Sequence, residues 1–275
     1  MTSWLPTTLA RSLLALPRGE TTRVSLNLGL STVLVRRLQD GVEAVGVTIT
    51  EETLTRAAVF RDVIVEIGPS GIAVPLQLAL GGRLYKLICT ATAPTLMIAG
   101  IQMHRRDDAW ADAEAKARSV VRGGDWVLDT CGGLGYTARC ALAAGAGLVL
   151  SAEPNRAVRR LRQHNPWSPP APTTGLLLRG TSAEVLVERL PDGGIDSVIH
   201  DPPRFSLAGS LYGRSFYASL RRVLRRGGRL YHYTGSPYSK RRGQSFVQNT
   251  AKRLAACGFT VSWDPVTVGL IGRAR

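Results

Sequence analysis

Residues 127–138 read VLDTCGGLGYTA. An apolar strand ends at Asp129, a run of small residues follows, and a helix starts near Tyr136, which is the geometry that brings a nucleotide-like ligand against bare backbone. Gly132, Gly133 and Gly135 form its centre. Glycine takes φ > 0 and lets a ligand approach without meeting a Cβ, while the following helix turns its free N–H groups and positive dipole end toward that ligand. Taken alone the spacing also suits a tight structural turn, and it serves more than one nucleotide cofactor.

Two features further along narrow the choice. A second apolar run, Leu148-Val149-Leu150, ends in Ser151-Ala152-Glu153, which puts a carboxylate where it can accept both ribose hydroxyls. A third run, Ile195–His200, terminates in Asp201-Pro202-Pro203-Arg204.

VLDTCGGLGYTA, then AEPN, then IHDPPRF together resemble motifs I, II and IV of class I S-adenosylmethionine-dependent methyltransferases. HDPPRFSLAG with LYGRSFYASLRRVLRRGGRLYHYTGSP is similar, more narrowly, to a family of predicted archaeal-type methyltransferases, sometimes labelled spermine-synthase-like, and APTLMIAGIQMHR near residue 100 extends that likeness over nearly the whole chain. The resemblance implies S-adenosyl-L-methionine as cofactor, held by Asp129, Cys131, Gly132, Gly133, Gly135, Tyr136, Thr137, Glu153, Pro154, Ser182, Ala183 and Asp201. Asp129 then accepts from the ammonium of the methionine moiety. Where relatives often use an Asp against the adenine amine this chain has Thr181, which leaves that contact to Ser182, Ala183 or backbone. Asp201-Pro202-Pro203 resembles the D/N-P-P turn that, in amino-directed methyltransferases, accepts the hydrogens of an exocyclic NH₂. The catalytic candidates are therefore Asp201, Pro202, Pro203 and Arg204. Arg204 stands in the place of a stacking aromatic, with Phe205 next to it. No cysteine lies near the fifth expected strand, and Cys131 reads as a small wall of the cofactor loop, so carbon-directed methylation of pyrimidines is disfavoured.

Composition bounds the class. The chain has 275 residues, 44% hydrophobic, enough for one large domain or more. No apolar run is long enough to span a membrane. The opening 16 residues, interrupted by Pro6 and Arg11, read as a docking segment and not a signal peptide. Cys89, Cys131, Cys140 and Cys257 show no C-x-x-C pair and no histidine at metal-ligand spacing, which suits free thiols in a cytoplasmic protein without a metal. The net charge is +15, and its distribution matters more than its size. Residues 202–253 carry 12 basic residues and no acidic one. Tyrosines and phenylalanines are interleaved there, a composition suited to a phosphodiester backbone and unstacked bases. The expected partner is RNA, through segment 204–253, with Arg204, Phe205, Lys240, Arg241 and Arg242 as substrate candidates. Solvated arginine faces are the plain alternative.

In chain order, residues 1–108 read as a small, mostly antiparallel β-rich domain, with Glu51–Phe60 a short helix. Residues 109–275 read as a catalytic domain. A helix over Ala109–Val121 carries Glu114 and Arg118 four apart, and His104, just ahead of it, is a candidate for the methionine end of the cofactor or a plain linker histidine. Strands and helices then alternate: a Rossmann-like, doubly wound, mostly parallel α/β sheet with helices on both faces. The final runs, Thr260–Trp263 and Val266–Ile271, are too close for a crossover and pair as a hairpin that supplies an antiparallel edge strand. The favoured function is methyl transfer from S-adenosylmethionine to RNA, tRNA or rRNA, at a base nitrogen. The alternatives are an aminopropyltransferase or small-molecule methyltransferase on the same fold, a non-catalytic RNA-binding protein, and, lower still, an NAD oxidoreductase. Polyamine chemistry wants carboxylates, and residues 202–263 have none.

Overall fold

The computed structural model describes residues 2–44, 46–104, 108–205, 207–235 and 241–275, with the side chains of 241–244 excepted. They divide into two compact units, one made of Met1–Trp110 with Arg160–Trp167, the other of Ala111–Arg159 with Ser168–Arg275.

The first unit is antiparallel β structure around two helices. Its sheets pair Ser3–Pro6, Ile64–Ile67 and Ala73–Pro75; Thr21–Val24 through Val47–Thr50; and Gln77–Leu80 through Ile101–Gln102. The opening residues are a strand and a helix, Thr7–Ala15, whose Leu5, Ala10 and Leu13 are buried in this unit's core with Val35, Val42 and Leu54. Glu51–Ala58 is the expected short helix. Thr50 caps it by accepting from the Thr53 N–H at 3.2 Å, and Glu51 and Glu52 complement its dipole.

The second unit is the Rossmann-like sheet. Its strands are β1 (Trp126–Asp129), β2 (Leu148–Ala152), β3 (Leu176–Arg179), β4 (Ile195–His200), β5 (Leu224–Tyr233), β6 (Phe259–Asp264) and β7 (Gly269–Ala274), in the order β3-β2-β1-β4-β5-β7-β6. Strands β1 to β5 pair in parallel, and β1 in the middle reads as a buried apolar run, Val127 and Leu128 being wholly covered. The order reverses beside β1, so the loops after β1 and β4 lie at one topological switch point, the usual place for a ligand.

Two details differ from the sequence reading. The antiparallel strand of the terminal hairpin is β7, and it is interior. It inserts between β5 and β6, leaving β6 at the edge. The inserted strand buries Leu270 and Ala274 in the core. The helix before β5, which the sequence pattern places at Gly213–Arg225, spans Arg214–Val223. Leu224 already pairs with Ile195 and Arg229 with Ser197, so residues 225–228 bulge out opposite Asp196, around Gly227 at φ +73°.

Candidate active site

Asp129 ends β1 with no exposed surface. Its Oδ2 accepts from Ser151 Oγ at 2.8 Å and Thr137 Oγ1 at 3.2 Å, while its Oδ1 is buried with no hydrogen-bond partner among the described residues. Burial pushes the carboxyl up to about 6, with the Ser151 and Thr137 hydrogen bonds pulling the other way. A buried acceptor left open at the mouth of a glycine loop is a place for a ligand donor.

The three glycines have different reasons. Gly133 takes φ +48° and a Cβ there meets nothing closer than 3.9 Å, so the backbone is bare at that point. Gly135, at φ +84°, is the N-cap of helix Tyr136–Ala143. Gly132 is not a positive-φ residue. It is required because a Cβ would collide with Ser151 Oγ, the hydroxyl that holds Asp129. Glu153 is 9% exposed and clamps the same loop, accepting from the Gly133 N–H at 3.0 Å through one oxygen and from the Asn155 N–H at 2.8 Å through the other.

The residues around this loop divide in role. Tyr136 is buried, Thr137 spends its hydroxyl on Asp129, and Pro154 is exposed. Ser182 caps helix Ala183–Glu188 by accepting from the Val185 N–H at 3.4 Å, and Ala183 is buried in the core. Burial and the negative charges of Asp129, Asp201 and Glu153 hold the Cys131 thiol well above its usual range, unsuited to nucleophilic work.

Asp201 follows β4, its side chain 21% exposed, and Lys116 donates to its Oδ2 at 2.7 Å. Lys116 also pairs with Asp112 at 2.6 Å and lies 4.9 Å from the centre of the Tyr233 ring. Burial works to strip Lys116 of its proton, but Asp201 and Asp112 outweigh it and keep the ammonium above its ordinary range. Behind the turn, the Tyr212 hydroxyl lies 3.3 Å from the Pro202 carbonyl and 3.0 Å from that of Pro203, and fixes the two prolines. Phe205 packs on Tyr212 at 5.6 Å between ring centres yet stays 55% exposed, and Arg204 beside it is exposed.

Asp112, Lys116, Ser151 and Tyr212 were not singled out by sequence. Asp112 and Lys116 stand four apart among the alanines of AWADAEAKA, a polar pair on an apolar face. Lys240 lies outside the described residues. Arg241 and Arg242 open helix Arg241–Ala256, and their side chains are also outside the description. His104 lies 2.8 Å through Nδ1 from Thr95 Oγ1.

Part of the basic segment is spent on the fold. Arg222 bonds Asp192 at 2.6 Å and two carbonyls, Arg225 pairs with Asp196, and Arg229 bonds Asp125 at 2.6 Å and the Val120 carbonyl. Arg221 turns to the Leu224 and Arg275 carbonyls. Arg204, Arg214, Arg226 and Lys252 remain exposed. Among the described residues no group of His, Cys, Asp and Glu is placed to hold a metal, and no helix is long and apolar enough to cross a membrane.

No family model matches the chain. An uncharacterized protein of Methanocaldococcus jannaschii is 44% identical over 178 residues, which is 64% of this chain and 61% of that protein's length. The fold is similar to that of a spermidine synthase in complex with the transition-state analogue AdoDATO, with TM-score 0.55, 15% identity, and 74% and 76% of the two chains covered. It is equally similar to spermidine synthase from Thermotoga maritima, with TM-score 0.55, 13% identity, and 74% and 75% covered. The likeness is one of fold, over about three quarters of each chain.

Proposed function

We propose that the chain is an S-adenosylmethionine-dependent methyltransferase acting on an uncharged amine nitrogen, with RNA as the acceptor. The observation that carries this reading is the open, buried Oδ1 of Asp129 beside the bare backbone of Gly133. An acceptor-only carboxylate at that point suits an ammonium, and Glu153 next to it suits a diol. When bound, S-adenosylmethionine would be held by the glycine loop, Asp129 and Glu153 and would supply an electrophilic methyl group on its sulfonium, which the acceptor nitrogen would take in exchange for a proton. The protein's part is alignment and exclusion of water. Asp201 holds the acceptor N–H with Oδ1 and takes up the released proton, its Oδ2 being committed to Lys116. Tyr212 keeps Pro202 and Pro203 rigid beneath the acceptor.

RNA fits the outer edge of this turn. Exposed Arg204 and Phe205 offer a guanidinium for phosphate and a ring face for an unstacked base.

The test is incubation with methyl-labelled S-adenosylmethionine and separate pools of unmodified tRNA, rRNA, protein and small amines, beside Asp201→Ala. Label is expected in one RNA pool and is expected to fall at least about 100-fold in the variant. Label in protein or small amines alone refutes the RNA acceptor. Transfer of an aminopropyl group from the decarboxylated cofactor to a polyamine, with no methyl transfer, refutes the reaction.

A further inference from the structure

The group around Lys116 has the composition of a binding site for an alkylammonium ion. Two carboxylates meet one ammonium at 2.6 and 2.7 Å, and an aromatic ring faces it at 4.9 Å. An ammonium has three donors, and carboxylates with a π face are what an aliphatic amine seeks when it leaves water. Here the occupant is the protein's own side chain, 4% exposed, delivered from helix Ala109–Val120 to the carboxylate that opens the Asp-Pro-Pro turn. Two carboxylates held together this far out of water are costly without a cation, so the place between Asp112 and Asp201 favours one.

We propose that Lys116 is a specificity residue, an internal occupant of an alkylammonium site that excludes polyamines and other cationic amines and leaves Asp201 to an uncharged amine. This rests on the methyltransferase reading for what Asp201 does next, but the exclusion itself needs no turnover. Without Lys116, Asp112, Asp201 and Tyr233 form a site for the ammonium of an aliphatic amine. With Lys116, a polyamine entering the turn meets a like charge with its counter-charges already taken. The acceptor is then a weakly basic amine, such as the exocyclic NH₂ of a base, that reaches Asp201 without a charge of its own.

The experiment titrates the purified full chain with spermidine, by calorimetry and by melting temperature, beside Lys116→Met and the double variant Asp112→Asn/Lys116→Met. The wild type is expected to show no binding. Lys116→Met is expected to bind at least tenfold more tightly and to melt higher as spermidine is added, because a ligand that binds only the folded state stabilises it. If two uncompensated carboxylates prevent the single variant from folding, the double variant, with only the partly exposed Asp201, carries the test with a smaller gain. Spermidine binding by the wild type equal to that of the variants, or no gain in either variant, overturns the proposal. S-adenosylmethionine binding on the same samples separates the two failures. A wild type that binds no S-adenosylmethionine refutes the reading of the site and leaves the spermidine result standing by itself.

Discussion

At Asp129 the requirements of the fold and of a ligand oppose each other. The carboxyl is fully buried and titrates at about 6 instead of 3.8, because burial disfavours its charged form. The folded state therefore holds that proton more tightly than the unfolded chain does between pH 3.8 and 6. Stability is lost as pH rises through that window, by roughly 3 kcal/mol at neutral pH. Asp129→Asn removes the charge and keeps the shape, so thermal unfolding at pH 7 is expected to show a melting temperature no lower than that of the wild type. A drop of several degrees assigns Asp129 a structural role instead. Asp129 and Glu153 were legible in sequence because each ends an apolar run. The hydroxyls of Ser151 and Thr137 that hold Asp129 were not, since nothing in their spacing says which way a small polar residue points. Gly132 was legible as a glycine for the wrong reason, its constraint coming from Ser151 on the neighbouring strand.

Among the elements, helix Ala109–Val120 carries two carboxylate-to-cation pairs at the same spacing of four. Glu114 and Arg118, the pair that sequence reading picked out, are 44% and 70% exposed and contribute little. Asp112 and Lys116 are buried and reach Asp201. Spacing alone does not separate them; the face that packs on the sheet does. Strand β5 and the helix before it teach the same lesson about charge. Twelve basic residues between 202 and 253 read as one cationic surface, but their partners Asp125, Asp192 and Asp196 come from earlier elements and claim Arg229, Arg222 and Arg225. Arg229→Met leaves Asp125 buried without its cation and is expected to cost about 3 kcal/mol in denaturant unfolding. Arg204→Ala, on an exposed side chain beside Asp201, is expected to leave stability within about 0.5 kcal/mol and to weaken RNA binding. The reverse ranking in stability contradicts this division of the arginines.

For the molecule as a whole, alternating strands and helices gave the parallel sheet and its helices, but not the insertion of β7 between β5 and β6, which depends on which hairpin strand the open edge of β5 accepts. Behind the sheet's active end lies a pair of histidines that sequence reading left without a role. His200 Nε2 donates to the Leu211 carbonyl at 3.0 Å and its Nδ1 lies 2.7 Å from Thr130 Oγ1. His232 Nδ1 donates to the Tyr233 carbonyl at 2.9 Å and its Nε2 accepts from the Tyr217 hydroxyl at 2.8 Å. Both are fixed as neutral tautomers. Burial lowers His200 to about 4, and burial with the neighbouring His200 lowers His232 well below its usual value. The unfolded chain takes up these protons first, so stability is full above about pH 6.5 and falls as pH drops toward 4. At pH 5 His200 alone costs about 2 kcal/mol. Asp129 returns about 1 kcal/mol over the same range, and His232 adds to the loss. The denaturation midpoint is expected to be lower at pH 5 than at pH 7; an unchanged midpoint contradicts the neutral assignment.

The central claim is that the glycine loop and Asp129 hold S-adenosylmethionine, and calorimetric titration of the purified chain with that compound, beside Asp129→Asn, tests it most directly. The expected result is saturable binding to the wild type, weakened at least tenfold in a variant that melts no lower. No binding to the wild type, or equal binding to both, contradicts it.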